Sequence, residues 1–228
     1  MCDESGIAFV RSHVTRTEIE GKEIVEVGSL DVNGSVRPEL ERLEPLSYLG
    51  VDIASGPGVD ELCDVTDLVK RYGESRFDVV IATELMEHVR EWRGAITNMK
   101  RILRPGGTLV LTTRSHGFKL HGFPWDYWRY EPDDLRSIFS DFTNVEIERD
   151  PEAPGVFLKA RKPSTEFREA DLSGIALHSV ARGGRTTDIG RRDEIMLRLR
   201  FARLRIRNAA RSRLGSARRR LWDRRSSR

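Results

Sequence analysis

The stretch Lys22-Glu-Ile-Val-Glu-Val-Gly-Ser-Leu-Asp-Val-Asn-Gly-Ser-Val-Arg37 decides the fold. It starts with a β-branched run over 24–27, passes through Gly28 and the pair Asn33-Gly34, and becomes compatible with a helix from Ser35. This order predicts a strand, a tight loop and a helix. In an open α/β sheet a small cofactor binds at the carboxyl end of the first strand, because glycines there let backbone N–H groups approach it closely.

The size and composition of the chain indicate one α/β domain with an appendage. It has 228 residues, of which 38% are hydrophobic and 33% charged, which suits a soluble protein. No apolar run approaches the roughly 20 residues that span a bilayer, and the N-terminus is unlike a signal peptide, so we expect a cytoplasmic protein. Cys2 and Cys63 are too few for a disulfide framework and too isolated for a zinc site.

The apolar runs that follow the first strand predict the rest of a sheet. Four of them predict strands over 48–53, 59–63, 77–82 and 108–113, and two more over 145–148 and 156–160 predict a closing antiparallel hairpin. Segments with helical character separate them, over 35–43, around Leu68 and Val69, through Trp92 to Leu103, and over 132–140. We therefore predict a Rossmann-like α/β fold with a seven-stranded, mainly parallel sheet, helices on both faces and an antiparallel last strand.

Charge divides the chain. Residues 191–228 contain 15 Arg and three acidic residues, a net charge of +12, whereas residues 1–190 carry 24 basic and 33 acidic residues, a net charge of −9. Apolar residues recur at helical spacing among the arginines: Ile195, Leu199, Ala202, Ile206, Ala210, Leu214, Ala217 and Leu221. The pattern predicts a basic amphipathic helical tail, which could lie on an anionic membrane, bind nucleic acid or dock on an acidic surface. We place peripheral membrane contact ahead of nucleic acid, with a solvated extension as the alternative.

These boundaries divide the chain into four segments. Residues 1–22 form an N-terminal extension without sustained periodicity, in which Phe9, Val10 and their neighbours could cover the core. Residues 23–162 form the sheet domain, residues 163–190 a polar linker, and residues 191–228 the arginine-rich tail.

Two acidic residues follow strands at positions suited to a nucleoside. Asp52 lies 24 residues beyond Gly28, the spacing at which a doubly wound fold places a carboxylate on ribose hydroxyls; the alternative is a solvent-facing loop acid. Asp64 and Val65 could present a carboxylate to an adenine amino group and an N–H to a ring nitrogen, or Asp64 could simply cap a helix. The loop after Gly28 lacks the G-x-G-x-x-G spacing of a pyrophosphate site, which argues against a dinucleotide.

Five ordered segments resemble the class I S-adenosylmethionine-dependent methyltransferases, in the broad methyltransferase-domain group. They are Glu26-Val-Gly28, Tyr48-Leu-Gly-Val-Asp52, Cys63-Asp-Val65, Phe77-Asp-Val-Val-Ile-Ala-Thr-Glu-Leu-Met-Glu-His88 and Leu103-Arg-Pro-Gly-Gly-Thr-Leu109. The resemblance covers about residues 23–162. It implies methyl transfer from S-adenosylmethionine to a small-molecule, glycan or lipid-linked acceptor.

The resemblance also implies a set of cofactor-binding residues. Gly28 and its loop would hold the methionine part, Asp52 the ribose diol, Asp64 the adenine, and Thr83 would line the methionine side. The full implied set is Glu26, Gly28, Ser29, Gly34, Asp52, Ile53, Asp64, Val65 and Thr83. One departure concerns the loop, because the family usually has three alternating glycines after the acid, whereas here five other residues separate Gly28 from Gly34.

Catalysis of methyl transfer mainly requires that the acceptor and the methyl group are held in line and that water is excluded. A base assists when the acceptor is a hydroxyl or an amine, and the candidates are His88, His116 and His121. The aromatic segment 123–130 could form an acceptor wall through Trp125, Trp128 and Arg129, or a lid that packs on the following helix. We favour a mixture, with some rings in the core and Trp125 or Trp128 facing the pocket.

A divalent metal is a further hypothesis, which we do not favour. If Glu84, Glu87 and His88 lay on the first turn of a helix, they would share one face and could converge with His116 or His121 on an ion. The competing function is a non-catalytic protein of the same fold that binds RNA or an anionic membrane through its tail. A nicotinamide oxidoreductase comes third, because the glycine spacing argues against it.

Overall fold

The computed structural model describes residues 3–122 and 125–203. Contacts divide the chain into two units, one ending at Thr187 and one beginning at Asp188. The second unit is helical over residues 191–203, and the predicted helix beyond them, like Cys2, lies outside the described residues. In the part of the chain that is described, no helix combines the length and apolarity needed to cross a bilayer.

The first unit contains ten strands among its described residues. They are β1 (Glu23–Val27), β2 (Ser47–Asp52), β3 (Glu61–Leu62), β4 (Phe77–Thr83), β5 (Leu103–Arg114), β6 (Trp128–Arg129), β7 (Thr143–Arg149), β8 (Gly155–Arg161), β9 (Leu177–Ser179) and β10 (Gly184–Thr186). The helices are α1 (Glu4–His13), α2 (Arg16–Ile19), α3 (Arg37–Glu41), α4 (Leu68–Tyr72), α5 (Trp92–Ile102) and α6 (Pro132–Ile138), with 3₁₀ turns at Val65–Asp67 and Met86–His88.

Seven of these strands form the main sheet in the order β3-β2-β1-β4-β5-β8-β7. The first five strands pair in parallel, and β8 runs antiparallel between β5 and β7. The predicted Rossmann-like sheet, mainly parallel with an antiparallel last strand, is confirmed. Its parallel strands end at one edge, which places the loops after β1, β2 and β4 side by side.

The central strand β4 shows how the sheet is covered. All of its residues except Asp78 are buried, as expected for a strand with elements on both faces. Val79 and Ile81 face a cluster that includes Phe9 and Val10 of α1, whereas Val80 and Ala82 point to the opposite face. The apolar contact predicted for the N-terminal extension is therefore confirmed.

The N-terminal extension is more regular than its sequence suggested, because it contains α1 and α2. Asp3 caps α1 by accepting a hydrogen bond from the Gly6 N–H, and Thr15 and Glu18 form a capping box at α2. These caps are sequence signals that could have predicted both helices.

The segment predicted as a polar linker, residues 163–190, also carries structure. β9 and β10 form a hairpin that pairs with β6 to give a second, three-stranded sheet. The guanidinium group of Arg93 donates hydrogen bonds to four carbonyl oxygens of this segment, those of Leu172, Ser173, Ile175 and Thr187. Because Arg93 lies on α5, these bonds hold the segment against the main domain.

Candidate active site

A cavity of about 300 Å³ opens where β1, β2 and β4 end. In an open α/β sheet this edge is where ligands bind. Most of the described residues that line it lie at the ends of β1 to β4 or just after them, and two more precede β6. They are Val27, Gly28, Leu30 and Val32 at β1; Asp52 and Ile53 at β2; Cys63, Asp64, Val65 and Thr66 after β3; Glu84, Leu85, His88, Val89, Arg90 and Glu91 after β4; and Trp125 and Tyr127 before β6.

Gly28 occupies a position that requires glycine. Its φ is +79°, in the left-handed region, and its N–H donates a 2.8 Å hydrogen bond to the carbonyl oxygen of Val51. A Cβ atom at this position would lie 3.0 Å from Cδ1 of Leu85, another residue of the cavity wall. The glycine therefore keeps both the turn and the space beside it open.

Asp52 presents an oriented carboxylate at the cavity wall. Its Oδ2 accepts a hydrogen bond of 3.2 Å from the Leu30 N–H, and its Oδ1 accepts one of 3.0 Å from the Ala54 N–H. A carboxylate has about four acceptor positions, so two remain for hydroxyl groups of a ligand. The neighbouring Ile53 is exposed at the rim.

Asp64 and Val65 lie on the same wall, and Asp64 performs the capping role that was the alternative. Its Oδ1 accepts hydrogen bonds from the N–H and the hydroxyl of Thr66, at 2.8 and 2.7 Å. Capping fixes the carboxylate at the start of the 3₁₀ turn, and its second oxygen is still able to accept from a ligand.

Four residues of the implied cofactor set are not among the described residues that line the cavity. Glu26 is buried and accepts a 2.7 Å hydrogen bond from the hydroxyl of Tyr48. Burial raises the pKa of Glu26 to about 7. Ser29 and Thr83 are also buried, and the Gly34 N–H donates to Oδ1 of Asp31 on the exposed part of the loop.

The three candidate imidazoles divide into a pair and an outlier. His88 lines the cavity, and its ring centroid lies 4.8 Å from that of His121. His116 is exposed, and its ring packs at 4.2 Å against His178. The loop after β5 thus brings His121, but not His116, to the turn that carries His88.

Glu87 completes a cluster with these two imidazoles. It is fully buried, its Oε2 accepts a 2.9 Å hydrogen bond from the Thr113 hydroxyl, and its Oε1 lies 3.8 Å from Nε2 of His88 and 3.7 Å from Nε2 of His121. Burial raises the pKa of Glu87, but the adjacent imidazoles outweigh it and hold this pKa well below its usual value.

The two glutamates of this motif do not share a helix face, so the prediction is wrong for Glu84. Glu84 has a φ of +51°, and the chain then forms the 3₁₀ turn Met86–His88 instead of an α-helix. Its carboxylate forms an ion pair with Arg114. Glu84 still lines the cavity, but Glu87 is the carboxylate that meets the imidazoles.

His121 is held by Asp126. Its Nδ1 lies 3.1 Å from Oδ2 of Asp126, and its backbone N–H donates to the same oxygen at 3.0 Å. Burial is the largest single influence on the pKa of His121 and lowers it, because it favours the neutral ring. Asp126 and Glu87 together outweigh burial and raise this pKa to about 9.

The aromatic segment also separates into wall and core. Trp125 lines the cavity together with Tyr127, which was not predicted. Trp128 is buried in β6, where its indole N–H donates a 3.0 Å hydrogen bond to the carbonyl oxygen of Arg90. Arg129 is also buried and donates to Oδ2 of Asp126 at 2.7 Å, so it supports the residue that holds His121.

The chain is similar to known proteins over most of the region that forms this cavity. The family model described as "Methyltransferase domain" matches residues 10–148. A curated relative, the ubiquinone biosynthesis O-methyltransferase of Parvibaculum lavamentivorans, is 32% identical over 68 residues, which are 30% of this chain and 26% of that enzyme. The enzyme of the same name from Methylococcus capsulatus is 25% identical over 126 residues, 50% of this chain and 51% of that enzyme.

Among solved structures, one similar fold is that of the 1,6-didemethyltoxoflavin-N1-methyltransferase of Burkholderia thailandensis, with bound 1,6-didemethyltoxoflavin and S-adenosylhomocysteine. The TM-score is 0.53 at 16% identity, over 70% of this chain and 77% of that chain. The likeness shows a shared fold. This chain spans about half the length, or less, of the curated relatives described above.

Proposed function

The chain belongs to the methyltransferase-domain family, and from this premise we propose that it transfers a methyl group from S-adenosylmethionine to a hydroxyl group of a small molecule. The observation that carries the proposal is the cavity at the carboxyl edge of the sheet, with Gly28 and Asp52 in its wall. The hydroxyl acceptor is supported by the relatives, which are named as O-methyltransferases.

The cavity fits this cofactor at residues on two neighbouring loops. Gly28 leaves a space that a Cβ atom would fill, and the free acceptor positions of Asp52 suit the two hydroxyls of a ribose. Asp64 and Val65 lie farther along the same wall, where an adenine ring would stack on apolar surface. When bound, S-adenosylmethionine supplies a methyl group activated by a sulfonium.

The rest of the wall suits an aromatic or otherwise flat acceptor. Trp125 and Tyr127 offer ring surface, and the side chain of His88 lies beside them in the same wall. In this proposal these groups orient the acceptor and exclude water from the reacting atoms. Glycan and lipid-linked acceptors are the alternatives within the same reaction class.

The test is calorimetric titration of S-adenosylmethionine and S-adenosylhomocysteine into the full-length protein, with NAD as a ligand control. We expect micromolar binding of both, loss of binding in Asp52→Ala, and unchanged binding in Asp67→Ala. Asp67 is a matched control because it is exposed on the neighbouring 3₁₀ turn and is not among the described residues that line the cavity. If the intact protein bound neither ligand, the enzymatic proposal would fail and a non-catalytic role through the tail would be favoured.

For the arginine-rich tail we keep peripheral contact with an anionic membrane as a proposal. In the helical residues 191–203, Ile195, Met196 and Leu199 are about half exposed, and the same helix carries five arginines, which suits an interfacial helix. Co-sedimentation with phosphatidylglycerol vesicles, compared with phosphatidylcholine vesicles, tests this. Binding to the anionic vesicles alone supports it, and binding to neither contradicts it.

A further inference from the structure

Three buried polar atoms within residues 84–88 have no hydrogen-bond partner among the described residues. One is Oε1 of Glu84, whose other carboxylate oxygen is paired with Arg114. The other two are Oε1 of Glu87 and Nε2 of His88, and both of these side chains are more than nine-tenths buried. Oε1 of Glu87 faces the imidazoles of His121 and His88 at 3.7 and 3.8 Å, which is too far for a hydrogen bond, whereas buried polar atoms are nearly always hydrogen-bonded. The arrangement therefore indicates a ligand that pairs with both atoms at once.

The hydrogen bonds of the two imidazoles determine which nitrogen faces the cluster. Nδ1 of His88 lies 2.5 Å from the carbonyl oxygen of Trp125, which can only accept, so Nδ1 carries the proton of the neutral ring. Nδ1 of His121 faces Oδ2 of Asp126 in the same manner. The neutral ring of His88 then directs the lone pair of Nε2 inward, and Nε2 of His121 does the same when a metal ion displaces its proton. A hydrogen bond from the other ring nitrogen to a carbonyl or carboxylate is how metal-binding histidines are oriented.

The three inward atoms converge. Oε1 of Glu87, Nε2 of His88 and Nε2 of His121 all lie within 4.8 Å of one another. Ligand atoms bound to one ion at about 2.0–2.2 Å are about 3–3.5 Å apart. The 3.7 and 3.8 Å distances from Oε1 of Glu87 exceed this spacing by a few tenths of an ångström, and the two Nε2 atoms, which lie within 4.8 Å of each other, would also move together when an ion binds.

We propose that Glu87, His88 and His121 bind a divalent transition-metal ion at the wall of the cavity. Two imidazoles and one carboxylate suit Zn²⁺, Mn²⁺, Co²⁺ or Fe²⁺, whereas Mg²⁺ and Ca²⁺ prefer oxygen ligands throughout. Glu84 is not a ligand, because its carboxylate is paired with Arg114, and neither is His116, which packs on His178. Asp126 and Thr113 act as positioning residues, through His121 and Glu87 respectively.

The position of the site gives the ion a role that rests on the proposed methyl transfer. His88 lines the cavity, and three protein ligands leave coordination positions for an acceptor oxygen. A bound ion lowers the pKa of a coordinated hydroxyl, whose proton then passes to water. The oxygen forms its bond to the methyl carbon while the carbon–sulfur bond breaks, and that electron pair stays on sulfur as a neutral thioether.

The test uses full-length protein that has been stripped with a chelator, titrated with Zn²⁺, Mn²⁺, Co²⁺ and Mg²⁺ separately. We expect one transition-metal ion per chain, weaker binding of Mg²⁺, and visible absorption bands from Co²⁺ bound to imidazole. Glu87→Gln and His121→Asn should each weaken Zn²⁺ binding by at least about tenfold. His116→Asn, which removes an exposed imidazole outside the cluster, should leave Zn²⁺ binding unchanged.

Binding of S-adenosylhomocysteine and thermal unfolding are measured on every variant, so that a failure to fold is recognised. Glu87→Gln keeps the size of the side chain and the acceptor for Thr113, which makes it the most conservative variant. The proposal is overturned if the intact chain binds none of the transition metals, if folded Glu87→Gln binds Zn²⁺ like the native chain, or if Mg²⁺ binds as tightly as Zn²⁺. If the intact chain did not bind S-adenosylhomocysteine, this result would count against the proposed methyl transfer and not against the metal site.

Discussion

Nε2 of His88 lies 3.8 Å from Oε1 of Glu87, and the two adjacent residues are oriented by different parts of the chain. The carbonyl oxygen of Trp125 fixes the ring of His88, and the hydroxyl of Thr113 on β5 fixes the carboxylate of Glu87. The short turn after β4 therefore supplies the functional groups, while β5 and the loop that follows it supply their orientation.

The first prediction concerns Asp126, which orients His121. Asp126→Asn replaces the carboxylate that faces Nδ1 of His121 with a neutral amide, so we expect Zn²⁺ affinity to fall about 10- to 100-fold. The buried Arg129 also loses its charged partner, so the variant should lose stability by about 3 to 5 kcal/mol and is best studied at low temperature. Asp133→Asn, in which an exposed acid on α6 is changed, is the control and should bind Zn²⁺ normally. Normal Zn²⁺ affinity in folded Asp126→Asn would show that this contact does not support a metal site.

The second prediction separates backbone strain from obstruction of the cavity. Gly28→Ala puts an alanine at a φ of +79° and places its Cβ atom 3.0 Å from Leu85. Gly73→Ala puts an alanine at a nearly equal φ of +82°, but its Cβ atom lies in open space. Both variants should lose about 1 to 2 kcal/mol of unfolding free energy. Only Gly28→Ala should also weaken S-adenosylhomocysteine binding, measured by calorimetry. Equal affinities in the two variants would place the cofactor away from Gly28.

The parts of the fold that could be predicted are those with a local cause. The apolar run of β4 and the turn at Gly28 are visible in the sequence, because strand burial and positive φ restrict the residue types at each position. The order of such elements was enough to predict the sheet. The hairpin of β9 and β10 was missed, since its strands have three residues each and the segment is tied to the domain by Arg93, far away in sequence.

The site was less predictable, because its geometry depends on contacts between distant segments. Nothing local distinguishes Trp125, on the cavity wall, from Trp128, which lies in the core as part of β6. The left-handed backbone at Glu84 turns its carboxylate towards Arg114, which a helical pattern could not reveal. The partner of His88 was likewise open between His116 and His121 until the path of the loop after β5 was known.

The third prediction concerns the buried ion pair that joins α5 to the segment after α6. Nζ of Lys100 donates to both carboxylate oxygens of Asp141 and to the carbonyl oxygen of Ile138, at 2.7–2.8 Å. Asp141→Asn leaves a buried ammonium without its counter-ion, so we expect a loss of about 3 to 5 kcal/mol in urea unfolding. The double variant Lys100→Met with Asp141→Asn removes the uncompensated charge and should recover much of this loss. A double variant no more stable than the single one would show that the packing of Lys100, and not its charge, is responsible.

The fourth prediction concerns the pH dependence of stability at Glu26. Because burial raises the pKa of Glu26 from 4.5 to about 7, the folded chain keeps a proton between these pH values that the unfolded chain releases. Glu26 therefore makes the free energy of unfolding fall as pH rises through this window.

Glu26→Gln carries no charge and can still accept the hydrogen bond from Tyr48, so it should be more stable than the native chain by about 2 to 3 kcal/mol at pH 8. The gain should vanish near pH 4, and Glu146→Gln, which changes an exposed glutamate on β7, is the control variant. Urea unfolding across this range measures the difference, and an equal gain at both ends would mean that Glu26 does not change its protonation state on folding.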